Sequence, residues 1–220
     1  MVPSPQRWQN GRDPLKLFLE IRGPGMRGFG LLLIIAAVGC GGGPGAIAVP
    51  DYRGAAIAAR AMELLDANRD GALDDAELAA SPGLKAAKAA FDADRDGKLT
   101  AAELAARFDK YAAAGPGLQT IQLRVTQQGR PLDGAVVTLT PEPFLTGLAP
   151  STGTSDANGD VSLQIDGLPA PGLYPGVYRV TVRKDGLPAK YHDKTELGCE
   201  VPPAAFSRGA VRVAFELTPR

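Results

Sequence analysis

Imidazole is nearly missing: one histidine, His192, occurs in 220 residues, together with two cysteines, Cys40 and Cys199. Zinc hydrolases, histidine bases and Ser-His-Asp triads each need one or more positioned imidazoles, so most of that chemistry is excluded. Charge of one sign is also lacking. The 24 Lys and Arg balance 24 Asp and Glu, which removes the electrostatic basis for a nucleic-acid partner. The apolar run LLLIIAAV at 31–38 is too short to span a bilayer as a helix. What is abundant is Gly (27) and Pro (19), clustered at joints, which predicts several segments divided by linkers. The length suits one medium domain or two small ones, and 45% hydrophobic with 22% charged residues is ordinary for folded protein.

The short apolar run has Arg27 before it and Ala37-Val38-Gly39-Cys40 after it. A basic flank, a short apolar core and small residues before a cut describe an export signal over 1–39. With Cys40 at its end, the segment resembles a bacterial lipoprotein signal, although Ala37 stands where Leu is usual. The resemblance implies lipidation of Cys40 and membrane attachment through that lipid. Plain secretion and a retained anchor are the alternatives. A start at Met26 gives a compact signal, MRGFGLLLIIAAVGC; the competing reading of the upstream part is amphipathic membrane binding by 15–21. GGGPG at 41–45 reads as a flexible tether within 40–53. Gly41 after the cysteine resembles lipoproteins passed on to the outer membrane, so the expected location is the bacterial cell envelope.

The strongest pattern is DANRDGALDDAE at 66–77 followed by DADRDGKLTAAE at 92–103. Both place oxygen donors at positions 1, 3, 5, 7, 9 and 12 of a twelve-residue loop, the EF-hand arrangement. In the first loop Asp66, Asn68, Asp70, Asp74 and Glu77 offer side-chain oxygens and Ala72 its carbonyl. The second uses Asp92, Asp94, Asp96, Thr100 and Glu103, with the Lys98 carbonyl. Alternate residues of a tightly curled loop point inward, so carboxylates at every second position converge on one ion. Gly71 and Gly97 at position 6 permit the sharp turn. Leu73 and Leu99 at position 8 are expected to meet across a short two-stranded bridge. Asp74 and Thr100 each precede a Glu by three residues, the capping-box spacing. Acidic turns without metal are the bland alternative, but crowded carboxylates repel one another without a cation. Calcium, two ions, is therefore the predicted cofactor.

The flanking helices read as short and Ala-rich. One spans 55–65, with Met62 and Leu65 on a face. Another starts at Pro82, where Ser81 suits the cap, and delivers Phe91 to the second loop. Leu104, Phe108 and Tyr111 line one face of the exit helix. Of three methionines only Met62 lies here, so the Met-rich groove of a calcium sensor is missing. Structural calcium is favoured over switching calcium, and this helical unit is assigned 54–114.

Beyond 112–117 the period changes from 3.6 to 2. Ile121-Leu123-Val125, Val137-Leu139, Val161-Leu163-Ile165, Val177-Tyr178-Val180-Val182 and Val211-Val213-Phe215 alternate with polar residues, punctuated by turns such as Asn158-Gly159 and Asp185-Gly186. About seven short strands predict an antiparallel β-sandwich over 118–219. GRPLDGAVVTLTP (129–141), TSDANGDVSL (154–163) and PGVYRVTV (175–182) resemble the carboxypeptidase regulatory-like, or transthyretin-like (prealbumin-like), fold. LPAKYHDKTELGCEV (187–201) resembles the tail of such modules in bacterial surface lipoproteins. The whole chain thus resembles an α+β multidomain lipoprotein joining an EF-hand pair to such a sandwich.

Three features are discounted. Asp156 to Asp160 begins like a third calcium loop, but Val161 and Gly167 replace the position-6 glycine and the position-12 glutamate, which leaves a hairpin turn. Tyr191-His192-Asp193 has no nucleophile beside it. Cys199 among strand residues reads as a small buried hydrophobe rather than a partner for Cys40. The expectation is a non-catalytic structural or interaction module. The second hypothesis is a module binding an envelope protein or glycan through the loops 142–153 and 166–176, with Phe144, Tyr174 and Tyr191 as candidate exposed aromatics. A hydrolase lacks the His and Arg clusters of transthyretin-like enzymes, and the glutamates at position 12 favour ordinary EF-hands over a dockerin-like role.

Overall fold

The computed structural model describes residues 50–115, 117–207 and 209–218, all within one compact unit, Ala46–Arg220. The signal segment 1–39, Cys40, the glycine tether up to 49 and the Met26 start lie outside the described residues. Among the described residues no helix is long and apolar enough to cross a membrane. Tyr52, at the end of the stretch read as tether, is buried, and its hydroxyl donates to the Pro175 carbonyl at 2.5 Å.

The chain opens with a helical region: α1 (Gly54–Leu65), β1 (Ala72–Leu73), α2 (Asp75–Leu78), α3 (Pro82–Phe91), β2 (Leu99–Thr100) and α4 (Ala101–Ala113). Leu104, Phe108 and Tyr111 recur at i, i+4 and i+7, so α4 presents one fully buried stripe. That stripe meets Ile57, Ala58 and Ala61 of α1. The first turn of α1 is closed from α4, where Asp109 accepts the Gly54 N–H at 2.9 Å. Phe91 at the end of α3 stacks edge-on against Phe108, with centroids 5.2 Å apart. Each such ring or leucine contributes about 1.5–3 kcal/mol by leaving water.

Ser81 does not cap α3 with its side chain, although it occupies the cap position. The Gly83 N–H is taken instead by Glu142, 59 residues further on, at 2.7 Å. The carboxyl also meets the positive pole of the helix, an attraction that its burial opposes.

Among the described residues the β-rich region holds nine strands where about seven were expected. They are β3 (Gln122–Gln127), β4 (Arg130–Pro131), β5 (Val136–Pro141), β6 (Ser151–Thr154), β7 (Asp160–Val161), β8 (Gln164–Ile165), β9 (Gly176–Arg183), β10 (Gly198–Val201) and β11 (Arg212–Leu217). One sheet has the order β10-β9-β5-β6-β8 and is antiparallel throughout. In the other, β3 lies between β11 and the short β4, and β7 also pairs with it. Here the antiparallel expectation fails: β11 runs parallel to β3 over Arg212↔Gln122 to Leu217↔Gln127. A parallel partner needs a long crossover rather than a hairpin, and the strands between β3 and β11 supply it. Inward-facing residues of both sheets, Leu123, Val125, Val137, Leu139, Val180, Val182, Phe215 and Leu217, share one core.

The helices sit directly on the first sheet. A methyl group added to Gly83 would collide with the Tyr178 backbone, and one added to Gly198 with the Pro82 carbonyl, so the start of α3 touches β9 and β10 main chain to main chain. Val177, next to Tyr178 on β9, faces the helices and joins their core together with Phe144 and Leu145. Adjacent apolar residues on a strand, Val177 and Tyr178, are thereby both buried, one on each face.

Candidate metal centre

The two twelve-residue loops share most of their hydrogen bonds, although Asp66 Oδ1 accepts the Asp70 N–H at 3.2 Å and Asp92 Oδ1 has no such donor. In each, the N–H at position 6 reaches the carboxylate at position 1: Gly71 to Asp66 at 3.1 Å, Gly97 to Asp92 at 3.0 Å. Position 5 donates to position 3, Asp70 to Asn68 at 2.7 Å and Asp96 to Asp94 at 3.1 Å. Position 7 donates to position 5, Ala72 to Asp70 at 3.0 Å and Lys98 to Asp96 at 2.7 Å. This staircase curls the backbone, with Gly71 and Gly97 at φ near +88° and +86°. Arg69 and Arg95, at position 4, also take positive φ, 60° and 63°. That second left-handed residue escaped the sequence reading, because arginine carries no signal for it.

The loops are joined where Leu73 pairs with Leu99 and Ala72 with Thr100, and both leucines are fully buried. The capping boxes form at both exits. Asp74 accepts from Ala76 and Glu77 while Glu77 accepts the Asp74 N–H at 3.1 Å. Thr100 and Glu103 repeat the exchange, with Thr100 N–H to Glu103 at 2.9 Å.

The ligand oxygens converge in part. Asp66, Asp70 and Glu77 bring carboxylate oxygens within 4.8 Å of one another, as do Asp92, Asp94 and Asp96. Asp74 is turned to cap α2, and Glu103 is drawn onto the N–H groups of Ala93 and Thr100 and the Thr100 hydroxyl. Burial opposes ionisation of Glu103, yet those donors outweigh it and hold its carboxyl below the usual range. Asp70 is likewise held low, first by the Ala72 N–H and then by Lys98. Asp92 Oδ1 is buried and has no hydrogen-bond partner. A buried carboxylate oxygen left bare at position 1 is costly unless a cation completes it. The donors are all oxygen, several are anionic, and there is no imidazole or thiolate among them, which fits a hard divalent cation such as calcium.

The EF hand family model matches residues 57–80 and 89–108, the two stretches centred on these loops. The helical region is an EF-hand pair. An EF-hand pair implies calcium binding, and the acidic groups that it needs are present in both loops. No curated protein matches the chain.

The other sequence candidates fall elsewhere. Asp156 accepts from Asn158 and Asp160 within a turn, and Asp160 is paired with Arg124 at 2.7 Å. Cys199 is buried and its thiol pushed up to about 12, chiefly by burial. His192 lies 3.1 Å from Asp193, a carboxylate that Arg183 also holds at 3.1 Å. The aromatics considered for a surface patch are not on the surface. Phe144, Tyr174 and Tyr191 are 1%, 8% and 6% exposed. Phe144 packs on Phe108, with centroids 6.4 Å apart, the Tyr178 hydroxyl holds the Tyr174 carbonyl at 2.5 Å, and the Tyr191 hydroxyl reaches Thr218 at 2.8 Å.

Proposed function

We propose that this chain is a calcium-stiffened, lipid-anchored protein of the bacterial cell envelope, whose β-rich region is a non-catalytic structural or interaction module. The observation that carries the reading is the shared core: Phe144, Leu145 and Val177 of the β-rich region complete the packing of the EF-hand helices. An EF-hand sensor works by exposing an apolar groove for a target. Here that apolar surface is already covered from within the chain, so calcium acts as a rivet rather than a switch.

Two ions are proposed, one per loop. Asp66, Asn68, Asp70, the Ala72 carbonyl, Asp74 and Glu77 would hold the first. Asp92, Asp94, Asp96, the Lys98 carbonyl, Thr100 and Glu103 would hold the second. Each ion would neutralise crowded carboxylates and brace the turn between two helices. Extracellular modules hold calcium at about 10⁻⁴–10⁻³ M, a range suited to permanent occupancy outside the cell.

The lipid anchor is supported by the sequence around Cys40, with its basic flank, short apolar core and glycine-rich follow-on. A carboxypeptidase regulatory-like sandwich is supported by the strand motifs at 129–141, 154–163 and 175–182. Calorimetric titration with calcium tests the central reading: two sites are expected, and Glu77→Gln with Glu103→Gln should abolish both. Metabolic labelling with a fatty acid tests the anchor, which fails if no label reaches Cys40.

A further inference from the structure

Lys98 belongs to the second loop by its backbone and to the first by its charge. Its N–H donates to Asp96 in loop two, whereas its ammonium lies 3.2 Å from Asp70 Oδ2 in loop one. The bridge Leu73↔Leu99 sets this up, because it carries the residue before Leu99 across to the facing loop. Asp70 Oδ1 is already occupied by the Ala72 N–H. Oδ2 is therefore the oxygen that Asp70 has left for an ion, and Lys98 takes it. The ammonium also feels Asp74 and Asp96. The matching position in loop one is Ala72, which has no charge to place on Asp96, so only loop one meets an ammonium from the facing loop.

We infer that Lys98 is a built-in competitor of calcium at loop one, which makes loop two the first to fill. A divalent ion entering loop one must move the ammonium off Asp70 or bind beside a like charge. Lys98 is 44% exposed and can swing into water, which keeps the penalty modest. Exposed pairs of this kind shift equilibria by about 1.5- to fivefold, less as salt screens them. The inference rests on the calcium reading above, and the experiment separates the two.

Calcium titration of the full chain in a Glu103→Gln background reports loop one, and in a Glu77→Gln background loop two. Adding Lys98→Met should tighten loop one by about 1.5- to fivefold and loop two, whose Asp96 the ammonium reaches only through space, by clearly less. The gain should shrink as salt rises from about 0.02 to 0.5 M. Lys98→Gln should reproduce it and Lys98→Arg should not. Lys88→Met serves as the control, because Lys88 pairs with Asp75, outside the ligand set, at 2.7 Å. An unchanged loop-one affinity overturns the inference, as does an equal gain in both loops or the same gain from Lys88→Met. If neither loop takes up calcium in any variant, the calcium reading falls and the inference with it.

Discussion

The molecule has two cores that depend on each other unequally. The core of the β-rich region is made wholly of residues from Leu123 onward, drawn from both of its sheets. The core of the EF-hand pair is not self-sufficient: beside Ile57, Leu84, Phe91, Leu104 and Phe108 it uses Phe144, Leu145 and Val177. Alanine-rich helices explain the asymmetry. They supply few large side chains, so the pair borrows a ring and two aliphatics from its neighbour. The lesson is that the sheet braces the helices through Phe144, Leu145 and Val177, and on the proposed reading calcium would brace them a second time at the loops.

The sharpest way to break this contrast is Phe144→Ala. It should cost about 3–5 kcal/mol, and the loss should fall on the helices. Hydrogen exchange in α1 and α4 should rise well before exchange in β5 and β9. Uniform loosening would show that the two cores are one.

The next test is the polar clamp between the same partners. Arg107 pairs with Glu200 of β10 at 2.6 Å, Tyr111 donates to the same carboxylate, and the guanidinium lies 5.1 Å from the Phe206 ring. The pair is about four-fifths buried, with side chains 19% and 13% exposed. Arg107→Ala, which leaves Glu200 only the Tyr111 hydroxyl, should lower stability by about 1–3 kcal/mol in urea denaturation. Glu200→Gln with Arg107→Met should recover part of that.

Calcium removal sharpens the comparison from the loop side. With free calcium tenfold above the dissociation constant, each site adds about 1.4 kcal/mol. Glu77→Gln should remove one such increment and the double variant both, read as the calcium-dependent rise in melting temperature. A chelator should leave the β-rich core folded at temperatures where the helices already exchange freely.

The smallest effect is a pH dependence at the junction. Burial raises the carboxyl of Glu142 above its ordinary 4.5, against the Gly83 N–H and Arg179, which pull it down. A folded-state value above the unfolded one favours the folded protein at low pH, and that advantage is lost as pH rises through the folded value. Glu142→Gln mimics the protonated form. Wild type and variant should therefore match below about 4.5, and the variant should gain on wild type as pH rises towards neutrality. A gain in the opposite direction would mean that the ionised carboxylate's bond to α3 outweighs its burial.

Much of the site was legible because it is local. All the ligands of a loop lie within twelve residues, and the glycines, leucines and capping glutamates stand at fixed offsets within the same stretch. The strands were legible from alternation, since Leu123 and Val125, or Val137 and Leu139, put apolar groups on one face whatever their partners. Partners were another matter. Nothing near Arg212–Leu217 tells that it runs beside β3, or in which direction, because that choice belongs to residues some 90 positions away. Ser81 looked like a cap, and a glutamate from β-rich territory does the work. Phe144 and Tyr174, in segments read as loops, are buried because another element lies over them.

Sequence alone determined the chemistry of the loops and the alternation of the strands, since both arise from neighbours along the chain. The tertiary structure decided what covers the helices, which strand lies parallel, and that the ammonium of Lys98 rests in the other loop. Those depend on groups brought together only when distant segments close on one another, and no local pattern encodes that meeting.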